Sequence, residues 1–313
     1  MLATARQCTP PKGEAVPGPY VSVIVRAKNK AGTIGLTLAA LRRQSVPVEI
    51  IVVDSGSTDG TVSLAEQWAD RVIEIPAESF TYGGALNIGA AAATAPVHAA
   101  LSAHCVPSSD TWFEDSLRRY EKRPDVAATN GARETPLGLP VEGTYFQTLE
   151  DVAVSPIWGF SNHASTWRAD VWRDIPFRED LVACEDKEWS WRVLAAGRTI
   201  AYAPELDAPM AHRRTAGMRA LLRRLTNEAE AMVSLGAAAP LSGPEAFRAW
   251  WSAFPVPSRL SPAFRRGSPY RMVELLGAWR GSRRAVPAAS PRLDELLAAS
   301  GYRKPAEVFL PWI

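Results

Sequence analysis

Residues 48–61 read VEIIVVDSGSTDGT, an apolar run that ends at a carboxylate and then turns through small polar residues. Ile50, Ile51, Val52 and Val53 are β-branched and uninterrupted, the pattern of a strand buried on both faces of a parallel sheet. Asp54 then stands at the carboxyl end of that strand, the edge at which open α/β sheets bind ligands. On these residues alone two readings of Asp54 stand side by side. It contacts a polar small molecule, or it caps the following helix, as Ser57, Thr58 or Asp59 also could.

The flanks repeat the alternation. Residues 21–25 (VSVIV) form a second buried-type strand, and 33–44 carry Ile34, Leu38 and Leu41 at helical spacing with Arg42 and Arg43 in the last turn. Helices are predicted over 61–69, 85–93 and 111–122, and strands over 72–75, 97–101 and 126–129. Strand following helix in this way specifies an α/β fold with a doubly wound, mostly parallel, Rossmann-like sheet. From 131 to 160 the pattern dissolves into a long connection of the kind that carries function. Beyond it come a strand over 160–165, a helix over 168–174, a firmer helix over 187–196 that stops at Gly197, a strand over 199–203 and a long helix over 215–235. From Gly236 onward ten of the 25 prolines fall in 78 residues, so 236–313 reads as an irregular Pro-rich appendage with short helices such as 293–299. The organisation is a disordered leader (1–19), a main domain (20–235) and this appendage.

Lys+Arg 35 against Asp+Glu 33 gives a net charge of +2, which excludes a bulk electrostatic case for nucleic acid as partner. Three scattered cysteines fit a reducing, cytoplasmic compartment better than a disulfide framework. Residues 79–109 contain no Asp, Glu, Lys or Arg, but glycines, Pro96 and two histidines interrupt them, so they read as a buried helix and a buried strand rather than a membrane span. Arg259, Arg265, Arg266, Arg271, Arg280, Arg283 and Arg284, with Trp279 and Phe264, offer a basic surface for the inner face of a membrane, or simply a solvated face.

Four stretches meet the ligand edge of such a sheet: 26–29, 54–58, 102–107, and Glu185 with Asp186. VSVIVRAKN, VEIIVVDSGSTDGT, FTYGGALNIGAAAA and ACEDKEWSWRVLAAGR, in this order, resemble the GT-A glycosyltransferases of family 2, in particular their rhamnosyltransferase-like branch. The resemblance spans residues 21 to 225. It implies a nucleotide-sugar donor, a hydroxyl-bearing acceptor and inverting sugar transfer, in surface polysaccharide or glycoconjugate synthesis. Asp54 matches the acid that holds the donor's nucleoside, with Arg26, Ala27 and Ser55 lining the same pocket. Gly83 and Gly84 would let the backbone approach the donor, and Asn87 would face that pocket from the helix.

LSAHCVP departs from the family, which has an Asp-x-Asp pair here to hold Mg²⁺ or Mn²⁺ against the diphosphate. Ser102, Ala103 and His104 occupy the place, so a divalent cation would be held weakly, with His104 and His212 as an incomplete ligand pair. Arg213 and Arg214, with Arg219, Arg223 and Arg224, are the cations available to the departing diphosphate. The resemblance gives Asp186 as the base that receives the acceptor's proton, Glu185 as its neighbour pointing elsewhere, and Trp189 and Trp158 as platforms for the acceptor sugar. Two rival functions are a catalytically inactive sugar-nucleotide or glycan binder, motivated by the missing acids, and a sugar nucleotidyltransferase, for which RAKNKAGT is a poor glycine-rich loop.

Overall fold

The computed structural model describes residues 20–209, 217–245, 269–289 and 291–302. Eight strands form one sheet: β1 (Val21–Ala27), β2 (Val48–Asp54), β3 (Arg71–Glu74), β4 (Val97–Ser102), β5 (Val126–Gly131), β6 (Tyr145–Gln147), β7 (Ala164–Arg168) and β8 (Thr199–Ala203), in the order β3-β2-β1-β4-β7-β5-β8-β6. The ladders β1–β2, β1–β4, β2–β3 and β5–β8 are parallel. β7 enters antiparallel between β4 and β5, and β6 closes the far edge antiparallel to β8. The sheet is therefore mixed but mostly parallel, with helices on both faces.

β2 shows why. Ile50 and Val52 pack into one hydrophobic cluster and Ile51 and Val53 into another, and all four are buried. Alternate residues point to opposite faces of a strand, so an unbroken apolar run demands cover on both sides. That cover comes from α1 (Ile34–Arg42), α2 (Thr61–Ala65), α3 (Tyr82–Ala92) and α4 (Trp112–Lys122), followed by α5 (Leu149–Val154), α6 (Ala169–Asp174), α7 (Glu185–Ala195) and α8 (Met218–Ser234). The uncharged tract 79–109 resolves into α3 and β4, as expected. Among the described residues no helix is long and apolar enough to cross a membrane.

Three differences from expectation have physical causes. The connection 131–160 contains β6 and α5. The signal for α5 was Thr148-x-x-Asp151, where the Thr148 N–H donates to Asp151 Oδ2 at 2.9 Å in a capping box. The strand expected over 160–165 begins only at Ala164, because residues 159–162 are diverted to the start of α7. The third difference lies in 236–313, where α10 (Leu293–Ala299) stands at the expected place but is joined by a 16-residue helix, α9 (Pro269–Arg284). Gly277 and Gly281 lower helix expectation for α9. They face α8, where a Cβ on Gly281 would lie 2.4 Å from the Thr226 carbonyl oxygen and one on Gly277 2.7 Å from Leu225 Cβ. Ala278, Leu293 and Leu297 join Ala229, Met232 and Leu235 in the main core cluster, so these helices share the core of the sheet domain.

His98, on β4 and remote from the ligand edge, is 2% exposed, and its Nδ1 has no partner. It lies against Trp167 and Trp172. Burial pushes its pKa down to about 4, against a smaller upward pull from Glu49. The unfolded chain therefore binds a proton near pH 6.5 that the folded chain refuses until about pH 4, so stability falls as pH falls through that window. We expect this one group to remove roughly 2–3 kcal/mol between pH 7 and 4.5. Urea unfolding at both pH values would check it, since His98→Leu should lose correspondingly less.

Candidate functional site

Register alone assembles the ligand edge. Ala27 pairs with Asp54, and Arg26 pairs with Val53 on one side and Ser102 on the other, so the ends of β1, β2 and β4 lie in one row. Ser55 N–H donates to the Ala27 carbonyl at 3.1 Å, which fixes the turn after β2. Asp54 itself is fully buried: Oδ1 accepts from the N–H groups of Gly56 (3.0 Å) and Ser57 (2.7 Å), and Oδ2 from the Ser57 hydroxyl (2.5 Å). In this arrangement the carboxylate holds the shape of the SGST loop, and Gly56 takes φ +82° to close it.

Arg26 differs most from its expected place in a nucleoside pocket. Its Nη1 donates to Glu185 Oε1 at 3.2 Å and to the Tyr82 carbonyl at 3.1 Å, Nη2 donates to the Asn162 carbonyl at 3.3 Å, and the guanidinium lies 5.3 Å from the Tyr82 ring centre. One side chain thus ties β1, the start of α3, the 159–163 segment and α7 together.

The glycines of α3 and Asn87 also turn to the protein rather than to open space. A Cβ on Gly83 would stand 2.0 Å from the Arg178 carbonyl oxygen, and one on Gly84 2.7 Å from Thr81 Oγ1, which accepts the Gly84 N–H. Chain meeting chain is what requires glycine here. Asn87 is saturated, donating to the Phe177 carbonyl and Glu179 Oε1 (both 2.8 Å) and accepting from Trp172 Nε1 (2.9 Å) and Phe177 N–H (3.2 Å). It pins the 172–179 strap to α3. We expect Gly83→Ala to destabilise by about 3 kcal/mol through overpacking against rigid backbone. Gly35→Ala, where nothing lies within 4 Å of the new methyl, should instead stabilise by about 0.5–1 kcal/mol. Thermal unfolding of the two variants reads the contrast.

Glu185 and Asp186 open α7 behind Cys184, which holds a left-handed φ of 62° that costs a non-glycine residue about 1 kcal/mol. Consecutive positions at a helix start diverge, and so do these acids. Glu185 is 5% exposed and accepts from Arg26 and from Asn162 Nδ2 (3.3 Å). Burial pushes its carboxyl upward, Asp186 adds to this, and Arg26 opposes. Asp186 is half-buried, and among the described residues its oxygens accept only main-chain N–H groups, from Lys187 (2.8 Å) and Asn162 (3.3 Å). Each carboxylate oxygen keeps accepting capacity. Lys187 Nζ donates to the Gly159 (2.9 Å) and Phe160 (2.6 Å) carbonyls, closing the 159–162 segment onto α7.

Ser102 N–H donates to the His163 carbonyl at 2.8 Å, and the Ser102 carbonyl accepts the N–H groups of His104 (2.7 Å) and Cys105 (2.8 Å), so 102–105 make a tight turn at the end of β4. The side chains at this turn supply a hydroxyl and an imidazole and no carboxylate. Among the described residues no three His, Cys, Asp or Glu side chains converge as a metal site. This donor set does not fit the hard-oxygen cradle implied by the resemblance. His212, Arg213 and Arg214 lie outside the described residues, as do Arg259, Phe264, Arg265 and Arg266. Ala103 is buried behind the turn.

The expected acceptor platforms separate. Trp189 is 0% exposed, packed with Phe160, Phe177 and Trp167, and its Nε1 donates to the Ile175 carbonyl. It is a core residue and offers no face to a sugar, which corrects the sequence reading. Trp158 is half-buried, lies against Tyr145 and Tyr202, and donates to the Glu134 carbonyl at 3.1 Å. Sequence reasoning missed Tyr82, Asn162 and His163. The available signal was the polar triplet Ser161, Asn162, His163 set before a buried strand. His163 Nδ1 lies 3.0 Å from Ser161 Oγ, and burial holds the imidazole below the ordinary histidine value.

Residues 22–138 match Glycosyl transferase family 2. That stretch is similar to a family 2 glycosyltransferase domain. Proteins similar to the chain include AglE of Haloferax volcanii, named as a glycosyltransferase, 28% identical over 60% of this chain and 66% of that protein. The O-antigen chain rhamnosyltransferase RfbN of Salmonella typhimurium is 24% identical over 62% of this chain and 67% of its own length. WbaN of Salmonella anatum, named likewise, is 23% identical over 56% and 60%. The chain thus spans about two thirds or less of these relatives. Among solved structures, mannosyltransferase PcManGT of Pyrobaculum calidifontis, in complex with GDP-Man and Mn²⁺, superposes with a TM-score of 0.54 at 19% identity, covering 90% of this chain and 79% of that one. TarS of S. aureus (1–349) does so at 0.51 and 15% identity, covering 84% and 90%. The chain therefore has the Rossmann-like GT-A fold.

Proposed function

We propose that this protein is a family 2 glycosyltransferase that moves a sugar, with inversion, from a nucleoside diphosphate sugar to a hydroxyl of its acceptor. The observation that carries the reading is the division of labour in the acid pair at the start of α7. Glu185 is buried and ion-paired, whereas Asp186 is half-buried with accepting capacity to spare. Adjacent carboxyls held in different environments take different roles. In a single displacement the acceptor hydroxyl attacks the anomeric carbon as the nucleoside diphosphate leaves from the opposite face, and Asp186 receives the hydroxyl proton. Glu185 holds the site together through Arg26. The row formed by Ala27, Asp54, Ser55 and Ser102 supports the donor, with Ser102 and His104 toward its diphosphate. Trp158 is the remaining platform for an acceptor ring. The two Salmonella relatives, named as O-antigen chain rhamnosyltransferases, support a place in surface glycan assembly.

A panel of UDP-, GDP- and dTDP-sugars screened by thermal shift tests the reading. One nucleotide class should raise the melting temperature by a few degrees, since ligand at 100 times its Kd stabilises by about 2.7 kcal/mol. The same shift is expected in EDTA and in Mn²⁺, because the turn after β4 brings no carboxylate. No response to any nucleotide sugar would reject the function, and binding without slow donor hydrolysis would favour an inactive binder.

A further inference from the structure

The segment between Trp158 and β7 makes more ties to the acid pair than a connection needs, and they converge on Asn162. This residue is 2% exposed. Its main-chain N–H donates to Asp186 Oδ2 at 3.3 Å, its Nδ2 donates to Glu185 Oε1 at 3.3 Å, and its carbonyl accepts from Arg26 Nη2 at 3.3 Å. Arg26 closes the ring by donating to the same Glu185 oxygen. The neighbours of Asn162 are anchored as well. The Ser161 carbonyl accepts from Asn130 Nδ2 at 3.3 Å, and the His163 carbonyl accepts the Ser102 N–H. The three residues therefore bridge the end of β4, where the donor's diphosphate is placed, and the acids of α7. The Asn162 side-chain carbonyl is buried without a partner, an arrangement that costs about 1–3 kcal/mol. An amide satisfied only on its donor side is held for what the donor does.

We propose that Asn162 is a positioning residue for sugar transfer: its side-chain amide clamps the Arg26–Glu185 ion pair and so sets the main chain whose N–H aims Asp186 at the acceptor. The proposal rests on Asp186 as the base. A residue that merely filled space would leave turnover per folded molecule and its pH dependence alone.

The test uses the full chain, UDP and GDP as binding probes, and slow hydrolysis of the most stabilising nucleotide sugar as the turnover readout. Asn162→Ala removes the clamp, and turnover should fall about 100-fold, as a displacement of about 1 Å does, with nucleotide affinity unchanged. Asn162→Asp keeps the shape but sets a carboxylate against Glu185. Like charges so close do not both ionise freely, so the acid limb of the turnover profile should move to higher pH. Wild-type turnover and an unmoved profile in both folded variants, whatever their melting temperatures, would overturn the proposal. Carbon-13 carboxyl NMR separates its failure from that of the base. The Glu185 titration should move upward in Asn162→Asp even if Asp186→Asn turns over normally, and an unmoved Glu185 titration refutes the clamp by itself.

Discussion

Asp186→Asn is expected to lower turnover by about 100- to 10,000-fold, the range that loss of a general base spans, while nucleotide binding is kept. The expectation follows from what Asp186 touches. Its oxygens accept N–H groups from Lys187 and Asn162 and, among the described residues, meet no cation within ion-pair distance, so these contacts orient the side chain without pairing its charge. An asparagine keeps the shape and loses the ability to take a proton. The row at the ends of β1, β2 and β4, proposed above to support the donor, is built from other residues and should not respond. Titration of the stabilising nucleotide into the variant, beside single-turnover transfer or donor hydrolysis, separates the two quantities. Undiminished turnover with intact binding would remove Asp186 from the role of base. Glu185→Gln makes a useful companion, because it should disturb stability and the Arg26 contacts as well as rate.

The fold was legible because its signals are local. An unbroken β-branched run such as Ile50–Val53 has few other destinations, and the uncharged tract 79–109 carries its own break at Pro96. What could not be read is what depends on contacts across the chain. α9 was hidden because Gly277 and Gly281 weaken a helix locally, and only α8 explains them. Trp189 lies one turn into the helix that Glu185 and Asp186 open, so its position in the sequence suggested a sugar platform. Its burial is decided by Phe160, Phe177 and Trp167, all distant in the chain. Gly83, Gly84 and Asn87 were visible as unusual residues, but their partners at 172–179 were not. The acids were found by motif. Their different burial, which gives them different chemistry, comes from Arg26 and Asn162, respectively 159 and 23 residues from Glu185.

Arg26→Met should be the most destabilising single change at the site, by about 3–5 kcal/mol at neutral pH, the cost of removing one partner of a buried ion pair. The side chains of Arg26 and Glu185 are 15% and 7% exposed, so water cannot take over the lost contact. Methionine fills much of the arginine stem's volume, which leaves the charge rather than a cavity as the main loss. The pH dependence identifies the cause. Burial already raises the Glu185 carboxyl above its ordinary value, with Arg26 opposing, and without Arg26 it rises further. Between the unfolded value near 4.5 and that raised value the folded variant holds a proton the unfolded chain has released. Its stability therefore falls as pH rises through that window. The deficit relative to wild type should be small at about pH 3.5, below the unfolded value, where Glu185 is protonated in both states, and full at pH 8. Urea unfolding at the two pH values reads it directly, and the double variant Arg26→Met, Glu185→Gln should recover much of the loss at pH 8, since no buried charge is left unpaired. A deficit of equal size at both pH values, not relieved by Glu185→Gln, would mean that Arg26 holds the site through Tyr82 and the Asn162 carbonyl rather than through the acid.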